Sequence, residues 1–250
     1  MVGNPLADCL ERTAVAAALV LTLVMPAYNE EATIGDVVVG WDDAFGTLGV
    51  PCELRVYDDG SRDATGALLE QVARERPRVV AVRQANAGHG PTILRGYREA
   101  RGEWVFQVDS DDEMRPEAFP ALWARREGAD LVLGYRTGRN AAVGRRVITG
   151  VAGFTVRLLF GRRVEDVNTP FRLYRRSALT RLLALVPVDA FAPNVILTGL
   201  ALRTGLRVVE VPVPHYNRRA GTSSIVRLRL WRAAARSFAQ TVGVAWRARR

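Results

Sequence analysis

Short, almost wholly apolar runs alternate along this chain with longer stretches that are amphipathic at helical spacing. Residues 19–38, LVLTLVMPAYNEEATIGDVV, pass from a buried strand through a Pro-containing loop into a helix with acidic residues in its first turn. The next strand, within CELRVYDDGSRDAT (52–65), ends in Asp58 and Asp59, followed by a Gly turn and a helix start near Ser61 to Asp63. A third, RVVAVRQANAGHG (78–90), ends in a Gly-rich loop. Successive strands that end in polar loops before helices predict an α/β domain, and in open α/β sheets ligands bind at the carboxyl ends of the strands. These loops are therefore expected to share one site.

The fourth strand is the most informative. The stretch VFQVDSDDE (105–113) is expected to deliver Asp109 and Asp111 at a strand end, where period-two geometry turns both carboxylates to one side. Two hard oxygen ligands so placed can hold a divalent ion against a diphosphate. Acidic residues also gather at strand ends as solvated turn residues, so this pair by itself does not decide.

The ordered set does. PAYNEE, the DDGSRDAT block, NAGHGPTILRGY (86–97), DSDDE and DVNTPFRLYRR (166–176) resemble, in order and spacing, family 2 glycosyltransferases of the GT-A fold. Within that family the chain is most similar to the polyprenyl-phosphate (dolichyl-phosphate) branch, over residues 19–225. The resemblance implies a nucleotide-diphospho-sugar transferase fold, one Rossmann-like mixed sheet flanked by helices. It implies transfer of a sugar from a UDP- or GDP-sugar donor to a polyprenyl-phosphate acceptor, by direct displacement with inversion.

What the resemblance implies for the site can be given residue by residue. Pro26, Ala27, Tyr28 and Glu30 line the nucleotide pocket, Asp58 receives the base or ribose, and Asn86 and Ser110 lie beside the nucleotide. Asp109 and Asp111 hold Mg²⁺ or Mn²⁺, with Glu113 where relatives often carry Gln. Asp166 and Arg172 complete the catalytic set, Arg172 gripping a phosphate, and Arg218, Arg219 and Ser223 face the acceptor. Three positions depart from the pattern: His89 and Ser224 stand where Lys is frequent, and Pro170 replaces a Gly. Bland readings exist for each residue. Tyr28 packs equally well, Asp59 suits a turn before Gly60, His89 suits a solvated loop, His215 suits strand-end packing, and Arg172 suits a structural salt bridge with Asp166 or Glu165.

Composition then narrows the classes. The 250 residues are expected to form a lead-in (1–17), a catalytic domain (18–225) and a basic amphipathic helix (226–250). There is no lysine, which excludes Walker-A and Schiff-base chemistry and leaves cationic phosphate work to arginine. Nine arginines and no acid lie between Val211 and Arg250, matching the whole formal charge of +9. Leu228, Trp231, Ala235, Phe238, Val242 and Trp246 recur at helical spacing beside those arginines, which reads as an in-plane membrane anchor, or else as a helix docked on its own domain or on a membrane subunit partner. The apolar segment 13–25 is shorter than the roughly 20 residues of a span, and continues into PAYNEE as the first strand. Cys9 and Cys52 show no metal-ligand spacing, which suits a reducing compartment and a peripheral enzyme on the cytosolic membrane face. A nucleic-acid binder is disfavoured for lack of a recognised module, and a Rossmann dehydrogenase for lack of a Gly-x-Gly-x-x-Gly helix start. The alternatives are a transferase acting on a hydroxyl of a glycan, glycolipid or small molecule, and a catalytically silent sugar-nucleotide-binding subunit.

Overall fold

The computed structural model describes residues 18–138, 164–216 and 238–246. The apolar runs form strands β1 (Leu21–Ala27), β2 (Cys52–Asp58), β3 (Val79–Arg83) and β4 (Trp104–Gln107). Helices α1 (Ile34–Gly46), α2 (Thr65–Glu75) and α3 (His89–Glu99) alternate with them. A 3₁₀ turn (Pro116–Ala118) and short α4 (Phe119–Ala124) lead to β5 (Leu131–Thr137). Then come β6 (Arg172–Arg175), α5 (Arg176–Leu183), α6 (Pro193–Arg203), β7 (Val208–Pro214) and a helical segment at 238–246.

One sheet takes the order β3-β2-β1-β4-β6-β5-β7. The first four strands are parallel, and β6 runs antiparallel to both β4 and β5, while β5 and β7 are parallel. Six strands therefore share one direction, and their carboxyl ends make one edge. Because β6 descends from that edge, α5 climbs back to it and α6 leaves from it.

Alternation along the strands feeds two cores. Leu21, Leu23, Met25, Leu54 and Val56 face α1, α2 and α4, whereas Val24 and Tyr57 face α3 and its neighbours α5 and α6. All seven β1 residues are buried, as expected for a central strand covered on both faces. The first core is dominated by aromatic rings. Phe106 lies 4.7 Å from Phe119 and 4.9 Å from Phe171, and Trp41 lies 5.2 Å from Phe106. Truncating such a ring typically costs about 3–5 kcal/mol, so this cluster anchors the strand that leads into the aspartate loop. Cys52 is buried and free.

Candidate active site

The aspartates are placed by a loop and not by strand periodicity. β4 ends at Gln107, and residues 108–114 turn through bends with Asp112 at φ +57°. The expected period-two alignment is thus replaced by loop geometry, since the ladder to β6 closes at Gln107–Arg172. Asp111 turns its Oδ1 back to accept the Glu113 backbone N–H (3.2 Å). Asp109 Oδ1 accepts from Gln107 Nε2 (2.9 Å) and lies 3.1 Å from His89 Nε2. Burial opposes the charge of Asp109, but His89, Arg136 and Arg172 outweigh it and hold the carboxyl below the usual aspartate range. The same carboxylates, Asp109 first, raise His89 against the desolvation that would lower it. His89, whose side chain is 58% exposed, is therefore both a solvent-facing residue and a partner of Asp109.

Each strand-end loop is pinned by its neighbour. Tyr28 is exposed while Glu30 is buried, its backbone N–H donating to Thr65 Oγ1 (2.8 Å). The first acidic residues cap the next loop instead of their own helix: α1 begins only at Ile34, and Glu31 accepts the Ala64 N–H (2.9 Å). Pro26 and Ala27 close β1, with Ala27 accepting the Asp59 N–H. Asp58 Oδ1 holds the Ser61 N–H (2.8 Å), while its buried Oδ2 makes no hydrogen bond among the described residues and is ion-paired with Arg83 Nε at 3.7 Å. Ser110 is buried in the aspartate loop.

Asp59 does more than make a turn. Its carboxylate accepts from Gln84 Nε2 (2.7 Å) and from the backbone N–H groups of Ala87 (2.8 Å) and Gly88 (2.9 Å). Its carbonyl accepts from Asn86 Nδ2 (2.8 Å), so the Asn86 amide shapes the loop. Gly88 has φ +93°, which a residue with Cβ rarely adopts, and it hands the chain to α3 at His89.

Asp166 and Arg172, expected to act together, part ways in the structure. Asp166 accepts a bidentate pair from Arg136, Oδ2 at 2.6 Å from Nε and Oδ1 at 3.1 Å from Nη2. Both side chains are largely buried. Desolvation works against the Arg136 charge, yet Asp166, Asp109 and Glu113 hold the guanidinium charged. Arg172 is fully buried. It donates to the carbonyls of Thr169 (2.7 Å), Asn194 (3.2 Å) and Val167 (3.3 Å), and to Tyr174 Oη (3.0 Å) and Thr198 Oγ1 (3.2 Å). The expected phosphate grip by Arg172 is corrected by this geometry, because a guanidinium spent on five interior acceptors has no free face. The expected ion pair with Asp166 or Glu165 is not made either, since among the described residues no carboxylate lies within ion-pair distance of Arg172. Asn168 is exposed, Thr169 bonds the Gly134 carbonyl, and Phe171 joins the aromatic core. Arg218, Arg219, Ser223 and Ser224 lie outside the described residues.

Four participants were not singled out as site residues from the sequence. Gln107 links Asp109 to Asn194, whose Nδ2 donates to Gln107 Oε1 (2.9 Å). Arg136 supplies the buried cation, Asp59 the loop anchor, and His215 a contact of 3.0 Å to Glu113 Oε2. Tyr216 N–H donates to the Glu113 carbonyl, tying the end of β7 to the aspartate loop. Their signal is a polar residue closing an apolar run, as in VFQ and LVLGYR. Asp109, Asp111 and Glu113 are the oxygen donors at this loop. No group of three or more metal-ligating side chains is preformed among the described residues.

A seven-stranded mixed sheet flanked by helices, with an aspartate loop at the carboxyl edge, is a GT-A arrangement. The model of glycosyl transferase family 2 matches residues 22–183, and the chain belongs to that family. It is 33% identical over 213 residues to the undecaprenyl-phosphate 4-deoxy-4-formamido-L-arabinose transferase of Pseudomonas paraeruginosa, covering 84% of this chain and 61% of that protein. The enzyme of the same name from Klebsiella pneumoniae is 30% identical over 213 residues, with 64% of its length covered. The chain thus spans less than two thirds of these curated relatives. Among solved structures, glucosyl-3-phosphoglycerate synthase from Mycobacterium tuberculosis, crystallised with Mn²⁺, UDP and phosphoglyceric acid, superposes with a TM-score of 0.65 at 23% identity. That match covers 98% of this chain and 84% of the synthase chain, and it shows the GT-A fold. The family and its polyprenyl-phosphate branch, read from the ordered motifs, agree with these relatives.

Proposed function

We propose that this chain transfers a sugar from a UDP- or GDP-sugar to a polyprenyl phosphate, with inversion at the anomeric carbon. The observation that carries the reading is the Arg136–Asp166 pair, a largely buried cation held at the carboxyl end of β5 and within electrostatic reach of Asp109 and Glu113. Asp109 and Asp111, with Glu113, would hold Mg²⁺ or Mn²⁺, which when bound supplies charge neutralisation for the departing diphosphate. Tyr28, Glu30, Asp58, Asn86 and Ser110 form the donor side of this reading, with Pro26 and Ala27 as its floor. Asp59 holds the 86–88 loop in place before any donor arrives, so little ordering is left for binding.

A lipid phosphate is anionic at neutral pH and needs little base assistance, whereas a hydroxyl requires a base. Both oxygens of Asp166 accept from Arg136, which favours Asp166 as the anchor of a cation over a free base. Arg136, with Arg218 and Arg219, is the proposed acceptor-phosphate set in place of Arg172. Peripheral attachment on the cytosolic membrane face through 226–250, and the domain limits 18–225, belong to the same proposal. Among the described residues no helix is long and apolar enough to cross a membrane.

The test incubates the full chain with radiolabelled nucleotide sugars, polyprenyl phosphate and Mn²⁺. Asp111→Asn is expected to lower turnover by about a thousandfold, the scale of a lost electrostatic contact in a transition state. Full activity of Asp111→Asn in chelator would sink the metal assignment. A complete loss in Asp166→Asn, with transfer to a neutral alcohol, would move the acceptor to a hydroxyl.

A further inference from the structure

Exposed large apolar side chains are few among the described residues, and they are not scattered. Tyr28 and Tyr216 flank the loops already described, while Leu185, Val188 and Phe191 come from one connector, residues 184–192 between α5 and α6. Val188 is 71% exposed, the most open of them. The connector is tied to the 238–246 helix by Gln240, whose Oε1 accepts the Phe191 N–H (2.9 Å) and whose Nε2 reaches the Asp189 carbonyl (3.4 Å). Phe238, 51% exposed, stands two residues from that clasp and adds a fourth open apolar side chain to the connector's three.

The inner face of the same helix is a core face. Thr241, Val244 and Ala245 are buried, and the Ala245 carbonyl accepts from Arg203 Nη1 at the far end of α6 (3.0 Å). The helix therefore descends beside α6 with its first turn at the connector. Trp246 lies about 12 Å lower by helical rise and is not part of the patch.

The connector stands at the active edge of the sheet. Because β6 descends, α5 returns to the edge where β4 delivers the aspartate loop. The contact is direct: a Cβ on Gly90 would meet the Ala190 carbonyl at 2.2 Å and the Phe191 carbonyl at 2.6 Å. Only a glycine allows that approach, and Gly90 follows His89, the partner of Asp109.

We infer that residues 184–192 together with Phe238 form a lipid-inserting surface that seats the reaction edge on an anionic bilayer. Charge complementarity selects this occupant. In the sequence, the twelve residues just before Phe238, 226–237, carry Arg227, Arg229, Arg232 and Arg236 and no acid, against the single Asp189 of the connector. Apolar side chains that enter the acyl boundary beside arginines that meet headgroups make the general pattern of interfacial attachment. The inference deepens the proposed function and rests on it for its purpose: an acceptor whose phosphate stands at the bilayer surface would meet the site without being extracted.

The experiment co-sediments the full chain with phosphatidylglycerol-containing vesicles, using Val188→Glu, Phe238→Glu and the double variant. Ala121→Glu, an exposed position on α4 across the sheet, controls for added charge. Binding to anionic vesicles that falls roughly tenfold or more in the double variant and is unchanged in Ala121→Glu supports the surface. Equal binding by the double variant and the parent overturns it. So does a parent chain that ignores vesicles but dimerises, with the dimer lost in the double variant, since the face would then cover a second copy. Transfer to a short-chain polyprenyl phosphate in detergent is measured in parallel, with the double variant expected to match the parent. If no variant or parent transfers sugar while vesicle binding still follows the pattern above, the surface stands and the proposed acceptor falls.

Discussion

The parallel half of the sheet, β3-β2-β1-β4, and the mixed half, β6-β5-β7, meet at the aspartate loop but use their polar groups differently. On the parallel side, strand-end residues hold one another across successive loops: Asp59 binds the 84–88 segment, Glu31 binds Ala64, and Asp58 binds Ser61. On the mixed side, two arginines with similar surroundings part company. Both act on Asp109 through their charge, but Arg172 spends its hydrogen bonds on carbonyls and hydroxyls inside the fold, whereas Arg136 keeps a carboxylate partner. An arginine that belongs to an ordered motif can thus be committed to the interior of the fold. Neutral acceptors of the descending strand and α6 absorb Arg172, and the open end of β5 presents Arg136.

The comparison breaks most visibly at Arg172. Arg172→Leu removes five donors and leaves buried carbonyls unpaired, an expected loss of about 3–5 kcal/mol. In a chain of this size that lowers the melting temperature by roughly 10 °C, read by calorimetry. A variant that melts like the parent yet fails only toward the acceptor would return Arg172 to the phosphate role.

Arg136 and Asp166 are expected to show the opposite balance. Arg136→Gln strands a buried carboxylate at a cost of about 2–3 kcal/mol, and it should lower sugar transfer about a hundredfold. The double change Arg136→Met with Asp166→Leu should recover much of the stability and none of the activity, so melting and turnover part ways. Recovery of both would make the pair purely structural.

The parallel half is sharpened by Asp59→Asn, which keeps one acceptor and turns an amide toward N–H donors. About 2 kcal/mol of stability and a weaker nucleotide affinity are expected, measured by melting and by calorimetric titration with UDP and GDP. Unchanged nucleotide affinity would separate the 86–88 loop from the donor site.

The smallest effect lies at the far end of β2. Burial pushes Glu53 up, but Arg101, Thr22 and Arg55 together outweigh it and hold its carboxyl below the usual glutamate range. A group lowered on folding contributes stability above its unfolded value, and that contribution is lost as pH falls through the lower folded value. Glu53→Gln should therefore flatten the acid side of the melting-temperature profile and leave neutral turnover unchanged.

The parallel half was legible because its information is local. Apolar runs of strand length, turn residues after them and helical spacing beyond each depend on neighbours in the chain, so β1 to β4 and α1 to α3 could be read from residues 19–113. The ordered motifs placed Asp58, Asp59 and Asp109 near one edge for the same reason. Composition likewise left arginine as the strongly basic side chain of this chain, and showed where the basic run lies in it.

How distant groups share out their charges is fixed by the assembled fold alone. No local pattern tells that Asp166 would find Arg136, 30 positions away, or that the Asn194 side chain, 87 positions beyond Gln107, would complete a polar chain under Asp109. The reversed direction of β6 is equally silent in the sequence, yet it brings α5, the 184–192 connector and Gly90 to the active edge. Strand direction and charge pairing are settled by which buried donors and acceptors must be satisfied together, and that condition belongs to the assembled fold.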